Sequence, residues 1–333
     1  MNHTVLEPQP LPSPLPPLPR ARAPATPSAS NPARGQFANG EHRQAAVAHR
    51  FKLYTPPEAA GHRLPLVVML HGCTQDPDSF AAVTAMNDAA REQGFYVLYP
   101  AQSHEISPSR CWNWFKQEHQ QRGSGEPAMI ASLTQAVTAQ HDIDAHRVYI
   151  AGLSAGGAMA AIVAAAYPEI FAAVGVHSGL PVGAASDAPG ALALMKTGSA
   201  GTVRPDSRHR PVPEVSMRPP RRVPTIVFHG DQDATVHPHN GARIFAAARD
   251  GAAAPQVERG VSAQGRSYTR AISRGSHRDP GGPAVAEHWV VHGTGHAWSG
   301  GQPAGRFTDV KGPDATREIL RFFFQQPLAS ANR

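Results

Sequence analysis

Tyr149-Ile150-Ala151-Gly152-Leu153-Ser154-Ala155-Gly156-Gly157-Ala158-Met159 passes from an apolar segment, through a serine between glycines, into a series of small residues. Arg147 to Ala151 reads as a buried strand and Ala155 to Tyr167 as a helix of small side chains. The five residues from Gly152 to Gly156 leave room only for a very tight turn. Side chains at Gly152 or Gly156 would clash there, and Ser154 is pushed up into solvent. The helix starting behind it supplies oriented N–H groups and positive potential for a developing oxyanion. An ordinary Gly/Ser turn could carry the same five residues, but the strand before it and the helix after it favour a nucleophile.

On both sides of this segment, short apolar runs alternate with helical stretches. Pro65 to Leu70, Phe95 to Tyr99, Pro224 to Phe228 and Glu287 to Val291 read as strands, and Ala46 to Tyr54 as an edge strand. Residues 79–93 read as a helix with Phe80, Val83, Met86 and Ala90 near one face and Gly94 as its stop. Ile130, Leu133 and Val137 mark another helix, and Ala315 to Phe324 a closing one. This rhythm predicts an α/β fold with a mostly parallel central sheet flanked by helices. Residues 181–222 and 251–284 break it with Pro, Gly, Arg and Ser, and are expected to be loops or small insertions over the sheet edge. Residues 1–38, rich in Pro, Ala and Ser, read as a disordered tail. That leaves one domain after the tail, with no repeat and no second core.

Composition narrows the function. A chain of 333 residues, 41% of them apolar, can bury one large core. The net charge of +6 comes with no dense basic stripe interleaved with aromatics, so nucleic acid is not an expected partner. No apolar run approaches the roughly 20 residues that cross a bilayer, and no transmembrane segment is expected. Met1-Asn2-His3-Thr4 has neither a basic start nor an apolar stretch after it, so no secretory leader is read here.

A serine hydroxyl is a weak nucleophile near neutral pH and needs a base and an orienting acid, which follow it in the order acid, then histidine. The acid candidates are Asp231 and Asp233, in the loop after the strand that ends near His229; either could point inward. The base candidate among 18 histidines is His296, set between glycines in Gly293 to Gly301, with His237, His239, His288 and His292 as competitors. No His-Glu-x-x-His pattern or Cys/His cluster is present, so neither metal nor cofactor is expected. The oxyanion donors are expected to be the N–H groups of Ala155 and of Cys73, in the loop Leu70 to Gln75. Cys73 and Cys111 both follow strand ends that should open on one rim of the sheet, so a disulfide is expected; two free thiols are the alternative in a cytoplasmic protein. Trp112, Trp114 and Trp298 are expected to line a substrate pocket, the other reading being that they pack the core.

Taken together, Leu70 to Gln75, Cys111 to Phe115, Gly152 to Gly157 and Gly293 to Gly301 resemble the catalytic domain of the polyhydroxybutyrate depolymerase esterases, with feruloyl and acetylxylan esterases as close relatives; the resemblance implies a single catalytic domain over residues 45–326. The resemblance implies an α/β-hydrolase with a triad on Ser154, Asp233 and His296. It prefers Asp233 over Asp231 because His229 to Val236 follows the family pattern H-G-x-x-D-x-x-V. It also implies a secreted serine esterase acting on poly(3-hydroxybutyrate) or its oligomers through an acyl-enzyme; a cytoplasmic location is the alternative. A feruloyl or acetylxylan carbohydrate esterase is one alternative function, and a non-catalytic binding protein on the same fold is another.

Overall fold

The computed structural model describes residues 34–44, 47–199, 221–249, 254–275, 282–303 and 305–328. Along these residues run β1 (Gln36–Gln44), β2 (Val47–Thr55), β3 (Leu64–Leu70), α1 (Pro77–Thr84), α2 (Met86–Gln93), β4 (Tyr96–Pro100), α3 (Gly125–Gln140) and β5 (Ile143–Leu153). They continue through α4 (Ala155–Ala166), β6 (Ala173–His177), α5 (Ala188–Thr197), β7 (Thr225–Gly230), α6 (His239–Ala248), β8 (Gln256–Val261) and β9 (Ser267–Arg274). Last come β10 (Ala284–Val291), the short pair β11 (Trp298–Ser299) and β12 (Thr308–Asp309), and α7 (Ala315–Phe323).

One sheet holds the order β1-β2-β4-β3-β5-β6-β7-β10-β9-β8. Its six central strands, from β4 to β10, are parallel; β1 and β2 on one side and β9 and β8 on the other pair antiparallel. The central strands are buried on both faces, which is why they read as continuous apolar runs. In β3, Leu66, Val68 and Leu70 enter one core while Val67 and Met69 enter the other, the period of two that a strand imposes. The first core lies with α3, α4 and α6, and the second with α1, α2 and α7. Helix α4 is buried from Ala155 to Ala164, where alanines and glycines alternate with Met159, Ile162 and Val163 and let the helix pack close to the sheet.

Several expectations need correction. The helix expected at 79–93 is two helices, because Ala85 takes φ 50° and breaks the hydrogen-bond ladder. An Asp76–Ser79 capping box with Pro77 starts the first, and Gly94 at φ 68° ends the second. Residues 36–38, assigned to the tail, open β1; the rest of that assignment, residues 1–33, lies outside the described residues. Within 251–284, β8 and β9 form a hairpin that extends the sheet beyond β10, so this stretch is not a loop over its edge. Residues 181–222 include α5, capped by Asp187, while residues 200–220 lie outside the described residues. Strand β6 and helix α6 are additional to the elements read from sequence.

Candidate active site

Ser154 follows directly on β5 and takes φ 59°, ψ −121°. That left-handed backbone costs a residue bearing a side chain on the order of 1–3 kcal/mol and persists only where the surroundings enforce it. Here they do. A Cβ on Gly156 would lie 2.1 Å from Leu70 O, and one on Gly152 would lie 2.4 Å from Gly156 C, so the turn packs backbone to backbone against the end of β3. The Ser154 N–H is tied to His177 O of β6 (2.9 Å).

The other two candidates arrive from neighbouring strand ends. Gly230 closes β7, and Asp233 follows three residues later, with Oδ1 accepting the N–H groups of Thr235 (2.9 Å) and Val236 (2.8 Å). His296 follows β10, and its Nδ1 stands 2.7 Å from Asp233 Oδ2. The His296 loop crosses Gly230 so closely that a Cβ there would meet Thr294 O at 2.2 Å. It then returns over the end of β6, where the Ser299 N–H donates to His177 Nε2 (3.0 Å). Strand β6 is the neighbour of β5, so this bond draws the loop toward Ser154. Burial alone would push the Asp233 carboxyl up. The hydrogen bonds of His229 and His296, the positive potential of His296 and the Val236 N–H outweigh it and hold the group well below the usual carboxylate range.

Asp231, the alternative acid, turns the other way. Its Oδ2 meets His292 Nδ1 (2.9 Å), its Oδ1 accepts the Gly293 N–H (2.7 Å), and His292 Nε2 accepts from Thr269 Oγ1 (2.9 Å). His292 therefore belongs to a half-exposed structural group, and His288 is enclosed under α6 against Phe245. His237 Nδ1 receives the His239 N–H at the start of α6, and the imidazoles paired with Asp233 among the described residues are His296 and His229.

The loop expected to hold the oxyanion lies beside Ser154: a Cβ on Gly72 would be 3.6 Å from Ser154 Cβ. The Gly72 N–H is occupied by Gln75 Oε1 (2.9 Å), whereas the Cys73 N–H has no acceptor among the described residues. Ala155 opens α4, where the first N–H groups of a helix lack internal partners. Cys73 and Cys111 form a disulfide, Cα to Cα 4.3 Å. Four further contacts join the same two loops: Thr74 N–H to Ser109 O (2.6 Å), Arg110 Nη1 to Asp76 Oδ2 (3.0 Å), Arg110 Nη2 to Thr74 O (3.3 Å) and Trp112 Nε1 to His71 O (3.1 Å).

Pocket lining by Trp112, Trp114 and Trp298 is not what the structure shows. Trp112 and Trp298 are fully enclosed and Trp114 is 5% exposed. The Trp298 indole donates to Thr316 Oγ1 (3.1 Å), so these rings brace the core and its loops. Supporting residues that sequence reasoning missed are His177, His71 and Glu126. Glu126 is a buried carboxylate that accepts from Gln102 Nε2 (2.5 Å) and from the Asn113 N–H and Nδ2 (2.7 Å each), fixing the segment after Cys111. Only the spacing of polar residues inside apolar runs could have signalled them. A cavity of about 310 Å³ lies at the other end of the strands, beside Val174, Thr225 and Ile244, and none of the candidate catalytic groups lines it.

A parallel sheet with a strained serine after β5, an aspartate after β7 and a histidine after β10 defines an α/β-hydrolase. The acetyl xylan esterase from Aspergillus awamori shares this fold, with a TM-score of 0.62 over 86% of this chain and 99% of that one at 20% identity. A puromycin-hydrolyzing peptidase of Mycobacterium tuberculosis shares it at 0.54, over 89% and 40%, at 16% identity. Residues 49–248 match the model of the esterase PHB depolymerase family, and the chain belongs to that family. It is 33% identical over 193 residues to poly(3-hydroxyalkanoate) depolymerase C of Paucimonas lemoignei, covering 55% of this chain and 44% of that protein. Against feruloyl esterase B of Neurospora crassa it is 32% identical over 144 residues, covering 41% and 48%. Against acetylxylan esterase A of Aspergillus oryzae the identity is 26% over 196 residues, covering 56% and 62%. The chain thus matches roughly half the length of these relatives.

Proposed function

We propose that this protein is a serine esterase that hydrolyses carboxylic esters through an acyl-enzyme, with poly(3-hydroxybutyrate) or its oligomers as substrate. The observation that carries the reading is the His296–Asp233 pair at 2.7 Å, on the loops after β10 and β7 of the sheet whose β5 ends in the strained Ser154 turn. Asp233 accepts the Nδ1–H of His296, which leaves the Nε2 lone pair free to act as the base. His296 takes the Ser154 proton as Oγ attacks the ester carbonyl, and the oxyanion forms against the N–H groups of Cys73 and Ala155. The proton then passes to the leaving alcohol, and water repeats the sequence on the acyl-serine. Supporting the substrate is the 33% identity to a poly(3-hydroxyalkanoate) depolymerase. The feruloyl and acetylxylan esterase relatives favour a carbohydrate ester as the second reading. An extracellular location is supported by the family and by the disulfide, which persists in oxidising surroundings.

Fluorophosphonate labelling, abolished in Ser154→Ala, tests the chemistry; an unlabelled wild-type protein would mark a binding protein on a hydrolase fold. Turnover of hydroxybutyrate oligomers, emulsified polymer, and feruloylated or acetylated sugars ranks the substrates. Faster turnover of the sugar esters would replace the first reading by the second.

A further inference from the structure

His229, the next-to-last residue of β7, is buried. Its Nε2 stands 2.8 Å from Val236 O and 3.4 Å from Asp233 Oδ2. Both are acceptors, so Nε2 carries the proton and Nδ1 keeps its lone pair. Nδ1 is buried and has no partner among the described residues. Gly241 of α6 closes over it, since a Cβ there would lie 2.8 Å from that nitrogen. A ring with one bare interior nitrogen is a poor filler, because an apolar side chain would pack the space with no desolvation loss. The useful contact is the Nε2–H. It closes the turn 233–236 at its Val236 carbonyl, while the Val236 N–H grips Asp233 Oδ1 from within. Asp233 Oδ2 then lies between two imidazoles, His296 and His229.

We propose that His229 is a positioning residue: its Nε2–H locks the Asp233 turn and takes part of the carboxylate's charge, which sets how firmly Asp233 holds the proton on His296 Nδ1. This rests on the reading of Ser154, His296 and Asp233 as the reacting groups. The titratable groups around His229 are Asp233 on its own loop, His177 on β6, and His288 and His296 on and after β10; α6 presents Gly241.

The test compares His229→Gln, whose amide N–H reaches the place of Nε2, with His229→Asn, whose amide falls short of it, and with His229→Met. The Gln variant keeps kcat near wild type. Asn and Met lower kcat by roughly 10- to 100-fold with KM little changed. Their kcat/KM profile also loses activity at a higher pH on its acid side, because a carboxylate freed of His229 holds the His296 proton more tightly. Wild-type kcat and profile in the Met variant would overturn the proposal, as would an equal loss in Gln and Met at every pH. If circular dichroism shows the Met variant unfolded, the Gln–Asn difference decides alone. A wild-type protein without Ser154-dependent hydrolysis would overturn the reading of the site as well, whereas an active enzyme indifferent to His229 overturns only this proposal.

Discussion

The Ser299 N–H donates to Nε2 of His177 at 3.0 Å, joining residues 122 positions apart and tying the His296 loop to the strand beside Ser154. The bond fixes His177 as the neutral tautomer with its proton on Nδ1, facing Ser178 Oγ at 3.3 Å. Trp298 and Phe228 stack on its ring at centroid distances of 5.0 and 5.7 Å. A proton on Nε2 would face the Ser299 N–H head on. His71 is built the same way, its Nε2 accepting the Gln102 N–H (3.2 Å) and its Nδ1–H directed at Gly72 O (2.9 Å).

These buried neutral histidines predict acid lability. Burial pushes His177 down to about 3, and His71 and His288 each down to about 4. The unfolded chain takes up these protons near pH 6.5 and the folded one does not, so stability falls as pH drops from about 6.5 toward 4. Three such groups amount to on the order of 10 kcal/mol, comparable with the whole stability of a domain. The thermal midpoint should hold near neutral pH and decline steeply below pH 6. A flat midpoint between pH 7 and 4.5 would contradict the burial of these rings as neutral groups.

Gly156→Ala should be far more damaging than its single methyl suggests. The added Cβ would meet Leu70 O at 2.1 Å and His71 O at 2.5 Å, both backbone atoms that can move only by parting the turn from β3. A loss of about 3 kcal/mol or more is expected, with activity lost even in the folded fraction. Gly183→Ala is the control, since it has the same chemistry at φ 70° with nothing within 4 Å. Its cost should be about 1 kcal/mol from backbone strain alone. Chemical denaturation of both variants measures the difference.

Much of this architecture was legible because the parallel strands, buried on both faces, are uninterrupted apolar runs. Leu66 to Leu70 and Tyr96 to Tyr99 are such runs. Strand β6 was missed because Ala173-Val174-Gly175-Val176-His177 is short and ends on a histidine whose burial depends on Trp298 and Ser299, far along the chain. The α1–α2 break was missed because Ala85 carries no sequence mark of its left-handed backbone. The hairpin β8–β9 has polar, half-exposed strands, so no apolar run announces it. Trp112 and Trp298 looked like pocket walls because nothing local says that their indole N–H groups meet acceptors on distant segments.

Asp233 and Asp231, two residues apart, should respond differently to replacement by asparagine. Asp233 is buried and clamped by the Thr235 and Val236 N–H groups, with its free oxygen on His296. Asp233→Asn favours the wrong tautomer of that imidazole and should lower kcat by roughly 10⁴-fold. Because the carboxyl is held well below the usual range, its protonation does not limit activity between pH 7 and about 4. Asp231 and His292, 36% and 40% exposed, pin the start of the His296 loop to β9 through Thr269. Asp231→Asn should leave kcat near wild type and cost under about 1 kcal/mol. Steady-state kinetics on both variants checks the assignment, and a large loss in Asp231→Asn alone would reverse it.

Reducing the Cys73–Cys111 disulfide should weaken catalysis before it unfolds the protein. The bridge closes a loop across a sequence separation of 38 residues, worth about 4 kcal/mol in the chain-entropy picture. In a domain of this size that lowers the thermal midpoint by only several degrees. The folded state keeps other ties between the two loops: Thr74 N–H to Ser109 O, Arg110 to Asp76 and to Thr74 O, and the Trp112 indole to His71 O. None of them holds Cys73 itself, whose N–H is the proposed oxyanion donor and which sits next to Thr74 at φ 65°. Without the bridge that N–H can swing from its place, and a misplaced donor loses part of the roughly 10²-fold that one such group supplies. Treatment with a phosphine reductant should release two thiols and lower kcat by about tenfold while the far-ultraviolet dichroism is unchanged. Cys73→Ser/Cys111→Ser should reproduce both effects without reductant. Full activity in a protein with both thiols titrated would show that the other four contacts are sufficient to hold the loop.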